Sequence, residues 1–276
     1  MPKKRAVIIG KDVSKGARSP ILWNAAYKSL GIEAEMVPVD IDSEEDAHKF
    51  LEEQIQNNDF VGGAVAAPLK EVVANFFASN EKGFIEPKNC FFKSKNRFTA
   101  TNTDTLALLE SIYKEKNKNE ITKIAVMGTG GVAKSLCYQL STENNDLEVD
   151  VYGRSNDHLK LFSNFNTNFK SYVDLKDELY SYEVLINCTS VGKDGADNEE
   201  ILSREQLEHT NPNVLIFDVN YINSPSKLIR DAQSLSLNSI DGSRMNLMQA
   251  VIGFCLANDM EGQENLVHRY MLEALS

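Results

Sequence analysis

The run Ile124-Ala125-Val126-Met127-Gly128-Thr129-Gly130-Gly131-Val132-Ala133-Lys134 decides the fold. Its four apolar residues read as a buried strand, its glycines as a tight turn, and Val132 onward as the start of a helix. Gly128 permits the turn. Gly130 lets the backbone approach a pyrophosphate with no Cβ in the way. The first N–H groups of the helix then face an anion with the positive end of the helix dipole. A plain strand–helix turn has the same outline, but three glycines placed where close approach needs them favour a nucleotide.

Working outward from this run, strand and helix patterns alternate. A helix is expected over Leu106–Tyr113, then a polar stretch from Lys114 to Glu120, the strand Ile124–Met127 and a helix Val132–Leu140. Strand Val149–Tyr152, helix His158–Phe165 and strands Val184–Asn187 and Val214–Asp218 follow. Such alternation with short turns is the pattern of a doubly wound parallel sheet. Towards the N-terminus the pattern is α/β as well. Ala6–Gly10 is a first buried strand. Ser19-Pro20 opens a helix, with serine as its cap, that stops at Gly31. Glu35–Val39 is a strand whose Pro38 argues for a sheet edge, and Ser43 caps a charged helix running to about Asn57. Gly62–Ala66 is a strand ending at Pro68, and Cys90–Phe92 with Phe98–Ala100 forms a hairpin across Lys95-Asn96. The stretch Met245–Leu275 is helical, with two apolar stripes.

Length and composition allow this organisation. The chain has 276 residues, room for one large domain or two ordinary ones, and 42% hydrophobic against 25% charged residues suits a packed core. With 29 basic and 40 acidic residues the net charge is −11, which opposes nucleic acid or an anionic membrane over a broad face. Cys90, Cys137, Cys188 and Cys255 are far apart and form no C-x-x-C pair, as expected of reduced thiols in a cytosol. His48, His158, His209 and His268 lack metal-ligand spacing, so no metal site is expected. The apolar run after the basic N-terminus is too short for a signal or a membrane span.

The strand after the glycine turn selects the nucleotide. It ends in Gly153-Arg154-Ser155, where an NAD site usually places an acidic residue for the ribose 2′-OH. A guanidinium and a hydroxyl suit a 2′-phosphate, and Lys160 lies about one turn into the next helix. NADP is therefore preferred over NAD. A solvated surface arginine is the plain alternative.

These residues, in order, carry a resemblance along nearly the whole chain. They are Ser19-Pro20 with Asn24, Pro68-Leu69-Lys70, Asn89, Asn102-Thr103-Asp104 and Gly128-Thr129-Gly130-Gly131. They continue with Arg154-Ser155, Asn187-Cys188-Thr189-Ser190-Val191-Gly192, Asp218 with Tyr221, and Gly242 through Met245 to Gln249-Ala250. In this set the chain resembles the shikimate dehydrogenase family. The resemblance implies an α/β substrate-binding domain over residues 1–105 and 245–276, completed by returning C-terminal helices. It also implies a Rossmann NADP domain over 106–244. It implies Lys70 and Asp104 as the catalytic pair, and Ser19, Asn89, Tyr221 and Gln249 as substrate contacts. Gly128, Thr129, Gly130, Gly131, Val132, Arg154, Ser155, Thr189, Ser190, Val219, Gly242 and Met245 become the cofactor contacts. The expected reaction is reversible hydride transfer between NADP and a shikimate-like cyclic hydroxy acid, by a monomer or homodimer. The chemistry is sound on its own terms: oxidising a secondary alcohol requires removal of its hydroxyl proton, which a lysine facing an aspartate can manage. The plain alternatives are a surface lysine after a strand–proline turn and an aspartate that caps a helix.

Several positions depart from the family pattern. Ala17 replaces the first of two paired serines, Ala64 and Ala66 replace an asparagine and a threonine before Lys70, and Thr105 replaces a glycine after Asp104. Methyl groups in place of buried polar partners are expected to shift preference among hydroxylated acids. Arg18 and Arg244 are candidates to replace a lost carboxylate ligand, with solvent-facing side chains as the alternative. Two further readings stay open at this stage: a relative acting on a different hydroxy or amino-hydroxy acid, and a non-catalytic NADP and ligand sensor.

Overall fold

The computed structural model describes residues 3–78, 84–95, 97–143, 146–155, 159–192, 200–221 and 225–275. Asn96 and His158, each assigned a place above, lie outside these residues. The chain divides into two compact units, residues 1–106 with 247–276, and residues 107–246.

The first unit is built on β1 (Lys4–Gly10), β2 (Ala34–Asp40), β3 (Phe60–Val65), β4 (Cys90–Ser94) and β5 (Arg97–Thr101). Their order is β2-β1-β3-β4-β5. The β1 pairings are parallel, while β3–β4 and β4–β5 are antiparallel. Pro38 lies in β2 at the sheet edge, as its missing N–H requires. Helices α1 (Ser19–Leu30), α2 (Glu44–Ile55), α3 (Lys70–Phe77) and the start of α4 (Thr103–Glu115) fill the connections. Alternate residues of β1 serve the two faces, so its apolar run is continuous. Val7 and Ile9 join Ala47, Leu51, Leu69 and Val73 in one core. Each fully buried aliphatic side chain stabilises by about 1.5–3 kcal/mol.

Ser43 caps α2 by accepting from the Asp46 N–H, and Gly31 stops α1 with φ +66°. Ser19, by contrast, is not the cap of α1. Arg18 already holds helical dihedrals, and its carbonyl accepts the Leu22 N–H at 3.2 Å, so Ser19 is the first residue of the helix. The helix that begins at Lys70 carries no sequence expectation above. Only Val73 and Ala74 are fully buried in it, too few to show a period.

The second unit is a six-stranded sheet of β6 (Lys123–Met127), β7 (Glu148–Gly153), β8 (Asn168–Ser171), β9 (Val184–Asn187), β10 (Leu215–Asp218) and β11 (Asn238–Asp241). All pairings are parallel and the order is β11-β10-β9-β6-β7-β8. Counted from β6, this is the doubly wound order with its switch point between β6 and β9. Helices α5 (Gly131–Glu143), α6 (Leu159–Phe162), α7 (Tyr172–Glu178), α8 (Arg204–Glu208) and α9 (Lys227–Ser234) connect the strands. The helix expected to Phe165 ends as α at Phe162 and closes in a 3-10 turn over Ser163–Phe165.

The expected C-terminal helical stretch is two helices, α10 (Gly242–Ala257) and α11 (Glu264–Glu273). The later part of α10 belongs to the first unit, where Phe254 meets Trp23 and Tyr27 of α1 with ring centroids 5.4 and 4.8 Å away. A Cβ on Gly253 would stand 3.2 Å from the Cys90 sulfur, so α10 lies close on β4. Among the described residues, no helix is long and apolar enough to cross a membrane.

Candidate active site

Two helix starts in the first unit bring Lys70 and Asp104 together. The chain leaves β3, passes the cis Ala67–Pro68 peptide and enters α3 at Lys70. The hairpin β4–β5 returns it to Thr103, where α4 begins. Lys70 Nζ donates to Asp104 Oδ2 at 2.7 Å, with the side chains 37% and 22% exposed. Asp104 is not the helix cap. The Asn102 side-chain oxygen accepts the N–H groups of Asp104 at 3.1 Å and Thr105 at 3.2 Å, which leaves the Asp104 carboxylate for the lysine. A half-exposed ammonium tied to a carboxylate can hold an oxygen and exchange a proton with it.

Asn89 opens the same hairpin. Its side-chain oxygen accepts the Thr103 N–H at 2.6 Å and the Thr103 hydroxyl at 3.2 Å. Its amide donates to Gln249 Oε1 at 3.4 Å, and the Thr103 hydroxyl reaches the same oxygen at 3.4 Å. Thr103 is fully buried and absent from the expected contacts. Its signal lay in the Asn102-Thr103-Asp104 run, where it sits between two residues already singled out. Ser19 is buried at the start of α1, and Arg18 beside it is exposed. Ala64 is buried in β3, while Ala17 and Ala66 are half-buried. Tyr221 lies in the second unit, after β10, and is 40% exposed.

In the second unit the turn after β6 has two kinds of glycine. Gly128 has φ +112°, and a Cβ there would meet Thr189 Cγ2 at 2.9 Å, so the local fold requires it. A Cβ on Gly131 would meet nothing within 4 Å, and one on Gly130 only the Cys188 carbonyl oxygen at 4.0 Å. Both are exposed, as a backbone open to an approaching phosphate should be. Thr129 and Val132 flank them, half-buried.

The ends of the neighbouring strands are held by a buried polar network. Asn187 Oδ1 accepts the Thr189 N–H at 3.0 Å and its hydroxyl at 2.7 Å. The Val219 N–H reaches the Asn187 carbonyl at 3.1 Å. Asp218 accepts from Ser226, Asn220 and Asn187. Burial still pushes its carboxyl above the usual range, against the pull of these donors. Ser190 is exposed and Met245 buried. Gly242 is explained by packing, because a Cβ would stand 2.2 Å from the Val219 carbonyl oxygen.

Arg154 and Ser155 are exposed directly after β7, as is Lys160 at the following helix. The one carboxylate central to β7, Asp150, is fully buried and bound to Lys170 at 2.8 Å and the Tyr182 hydroxyl at 2.6 Å, so it does not face a ribose. The residues present therefore fit a dinucleotide carrying a 2′-phosphate. Arg244 is not a spare carboxylate ligand: its guanidinium binds Glu115 within the second unit. Among the described residues, no three His, Cys, Asp or Glu side chains converge as a metal site would require.

A doubly wound unit with an open glycine turn, together with a mixed-sheet unit carrying a Lys–Asp pair, defines the two-domain class of dinucleotide-binding α/β folds. Residues 8–82 match the family model for the shikimate dehydrogenase substrate binding domain. The chain is 27% identical to a shikimate dehydrogenase (NADP(+)) of Pyrococcus abyssi over 270 residues, covering 97% of both chains. Its fold matches shikimate 5-dehydrogenase from Listeria monocytogenes, solved with shikimate and NAD, at a TM-score of 0.84 and 18% identity over 99% of this chain and 96% of that one. The enzyme from Thermus thermophilus, solved with NADP(H) and shikimate, matches at a TM-score of 0.78 and 22% identity over 98% and 99%. The chain is thus similar to shikimate dehydrogenases along nearly its whole length, and residues 8–82 match the substrate binding domain of that family.

Proposed function

We propose that this protein is an NADP-dependent dehydrogenase that interconverts 3-dehydroshikimate and shikimate. The Lys70–Asp104 contact at 2.7 Å carries the reading, in a chain whose relatives of nearly equal length bear that name. Bound NADPH supplies the hydride that forms the new C–H bond at the substrate carbonyl carbon. Lys70 hydrogen-bonds the carbonyl oxygen and gives it a proton as negative charge develops there. Asp104 keeps the ammonium aimed, and in the reverse direction Lys70 takes the hydroxyl proton back. Asn89 and Gln249, joined through Thr103, offer amide groups to ring hydroxyls, and Ser19 and Tyr221 offer hydroxyls to the carboxylate. Residues 1–105 and 245–276 then hold the substrate. Residues 106–244 hold NADP through the turn Gly128–Val132, through Arg154 and Ser155, and through the strand ends at Thr189, Ser190, Val219, Gly242 and Met245. Four buried free thiols suit a reducing cytosol. The sensor reading loses ground, because both members of the proton-handling pair are present and in contact.

The test follows reduced nicotinamide by absorbance with shikimate and NADP. Wild type should turn over. Lys70→Ala should lose about 100- to 10,000-fold in kcat while still binding NADP. Its stability should barely change, since a partly exposed ion pair contributes little. Full turnover by Lys70→Ala would refute the assignment.

A further inference from the structure

The segment Glu86-Pro87-Lys88-Asn89 straps the two catalytic helix starts together. The Lys88 N–H donates to the Lys70 carbonyl at 3.0 Å, and Asn89 accepts the Thr103 N–H at the head of α4. At its start, Glu86 is 7% exposed, a burial rare for a carboxylate without partners. One carboxylate oxygen takes Lys88 Nζ at 2.9 Å. The other is buried and takes no hydrogen bond among the described residues. Asn102 and Thr105, the residues on either side of the Thr103-Asp104 step, pull the carboxyl down from nearby. Asn102 is the group that caps the Asp104 N–H. Glu86 therefore lies beside the support of Asp104, while its ion-pair partner's backbone bonds Lys70 itself.

We propose that Glu86, neutralised by Lys88, is a positioning residue that sets the pH at which the Lys70–Asp104 pair gives up its proton. The inference rests on the dehydrogenase reading for its catalytic meaning. A buried charge beside the supports of a proton-handling pair acts through a dielectric lower than that of water, so its field is only partly screened at the pair. Among the described residues, these charged or titratable groups lie close to it in the chain or at the two helix starts. Lys88 lies on its own segment, Lys70 and the exposed Glu71 on α3, Asp104 on α4 and Cys90 on β4. Burial and the Asp104 charge push the Cys90 thiol up to about 12, so it stays uncharged in an ordinary assay. Burial also raises the Glu86 carboxyl against the pull of Lys88, Asn102 and Thr105, so the charge there depends on its partner.

The experiment compares wild type, Glu86→Gln and the double variant Glu86→Gln with Lys88→Met. The full-length protein is used, and kcat for shikimate oxidation is measured against pH. The Asp104 carboxyl carbon is titrated in parallel by NMR. Glu86→Gln leaves Lys88 unpaired and should move both curves to lower pH by about half a unit. The double variant, again locally neutral, should return them to the wild-type position. A residue that merely filled space would move neither curve and give no such return. Unmoved curves in Glu86→Gln, or a double variant that stays with the single one, would overturn the proposal. If wild type shows no turnover, the dehydrogenase reading fails by itself, and the carboxyl titration alone decides whether Glu86 acts on the pair.

Discussion

Replacing Arg154 tests the cofactor assignment with little interference from the fold. The side chain is exposed after β7, and no ion pair or hydrogen bond ties it to the described residues, so Arg154→Ala should leave the melting temperature unchanged. What it removes is a charge-assisted contact to a 2′-phosphate. Such contacts contribute about 1.5–3 kcal/mol, and solvent exposure places this one at the low end. About 1.5 kcal/mol corresponds to roughly a tenfold loss in kcat/KM for NADP. Arg154→Glu sets a carboxylate against the phosphate and should lose about another tenfold. NAD lacks that phosphate, so its kcat/KM should stay within about twofold in Arg154→Ala, and rise if anything in Arg154→Glu. The assay measures both cofactors at saturating shikimate, at low and at high salt, because a screened contact weakens with salt. Equal losses with NADP and NAD would refute the reasoning, since they would mean that Arg154 serves the turn or the substrate rather than the phosphate.

Two further outcomes are expected. Gly128→Ala should lower stability by about 2 kcal/mol, because φ is +112° and the new methyl meets Thr189 at 2.9 Å, whereas Gly131→Ala should unfold like wild type and weaken NADP; denaturant titration with and without NADP separates the two. Asp150→Asn should cost about 1–3 kcal/mol by removing one of the two carboxylates that hold Lys170, Glu178 being the other, and should flatten the acid limb of stability against pH. Burial opposes the Asp150 charge, but Lys170, Tyr182 and Asn168 outweigh it and hold the carboxyl below its ordinary value. Its stabilisation is therefore present above the unfolded value of about 4 and is lost as pH falls through the lower folded one. Urea midpoints taken through the acid range check the sign, and an unchanged limb in the variant would contradict it.

What could be read from the sequence follows from how each element is buried. The runs at β1, β6 and β9 are buried on both faces, so they stay apolar without interruption, and strong turn residues bracket them. Gly31, Pro38 and Ser43 each have one local reason to be where they are, and each does what that reason predicts. β8 and α7 could not be read in the same way. Asn168-Phe169-Lys170-Ser171 has no fully buried residue, and α7 buries only Leu175. Their place is set by partners distant in sequence: Lys170 finds Asp150 on β7, and Glu178 finds Lys170. No window of a few residues contains that information.

The site divides along the same line. Gly128 announces itself because its constraint is local, a positive φ at a turn after a strand. Lys70 and Asp104 do not, because 34 residues and a whole hairpin separate two side chains that end 2.7 Å apart. Only resemblance to a family joined them in advance. Resemblance also has a blind side: it points to positions where the chain agrees with its relatives and is silent about side chains the chain adds. Glu86 and Lys88 lie outside the positions that carry the resemblance. In the sequence they are one acid and one base in a loop, and such residues usually face water. The burial of Glu86 appears only when its segment bonds to the starts of α3 and α4, so the groups proposed to tune a proton-handling pair are those a sequence pattern is least able to announce.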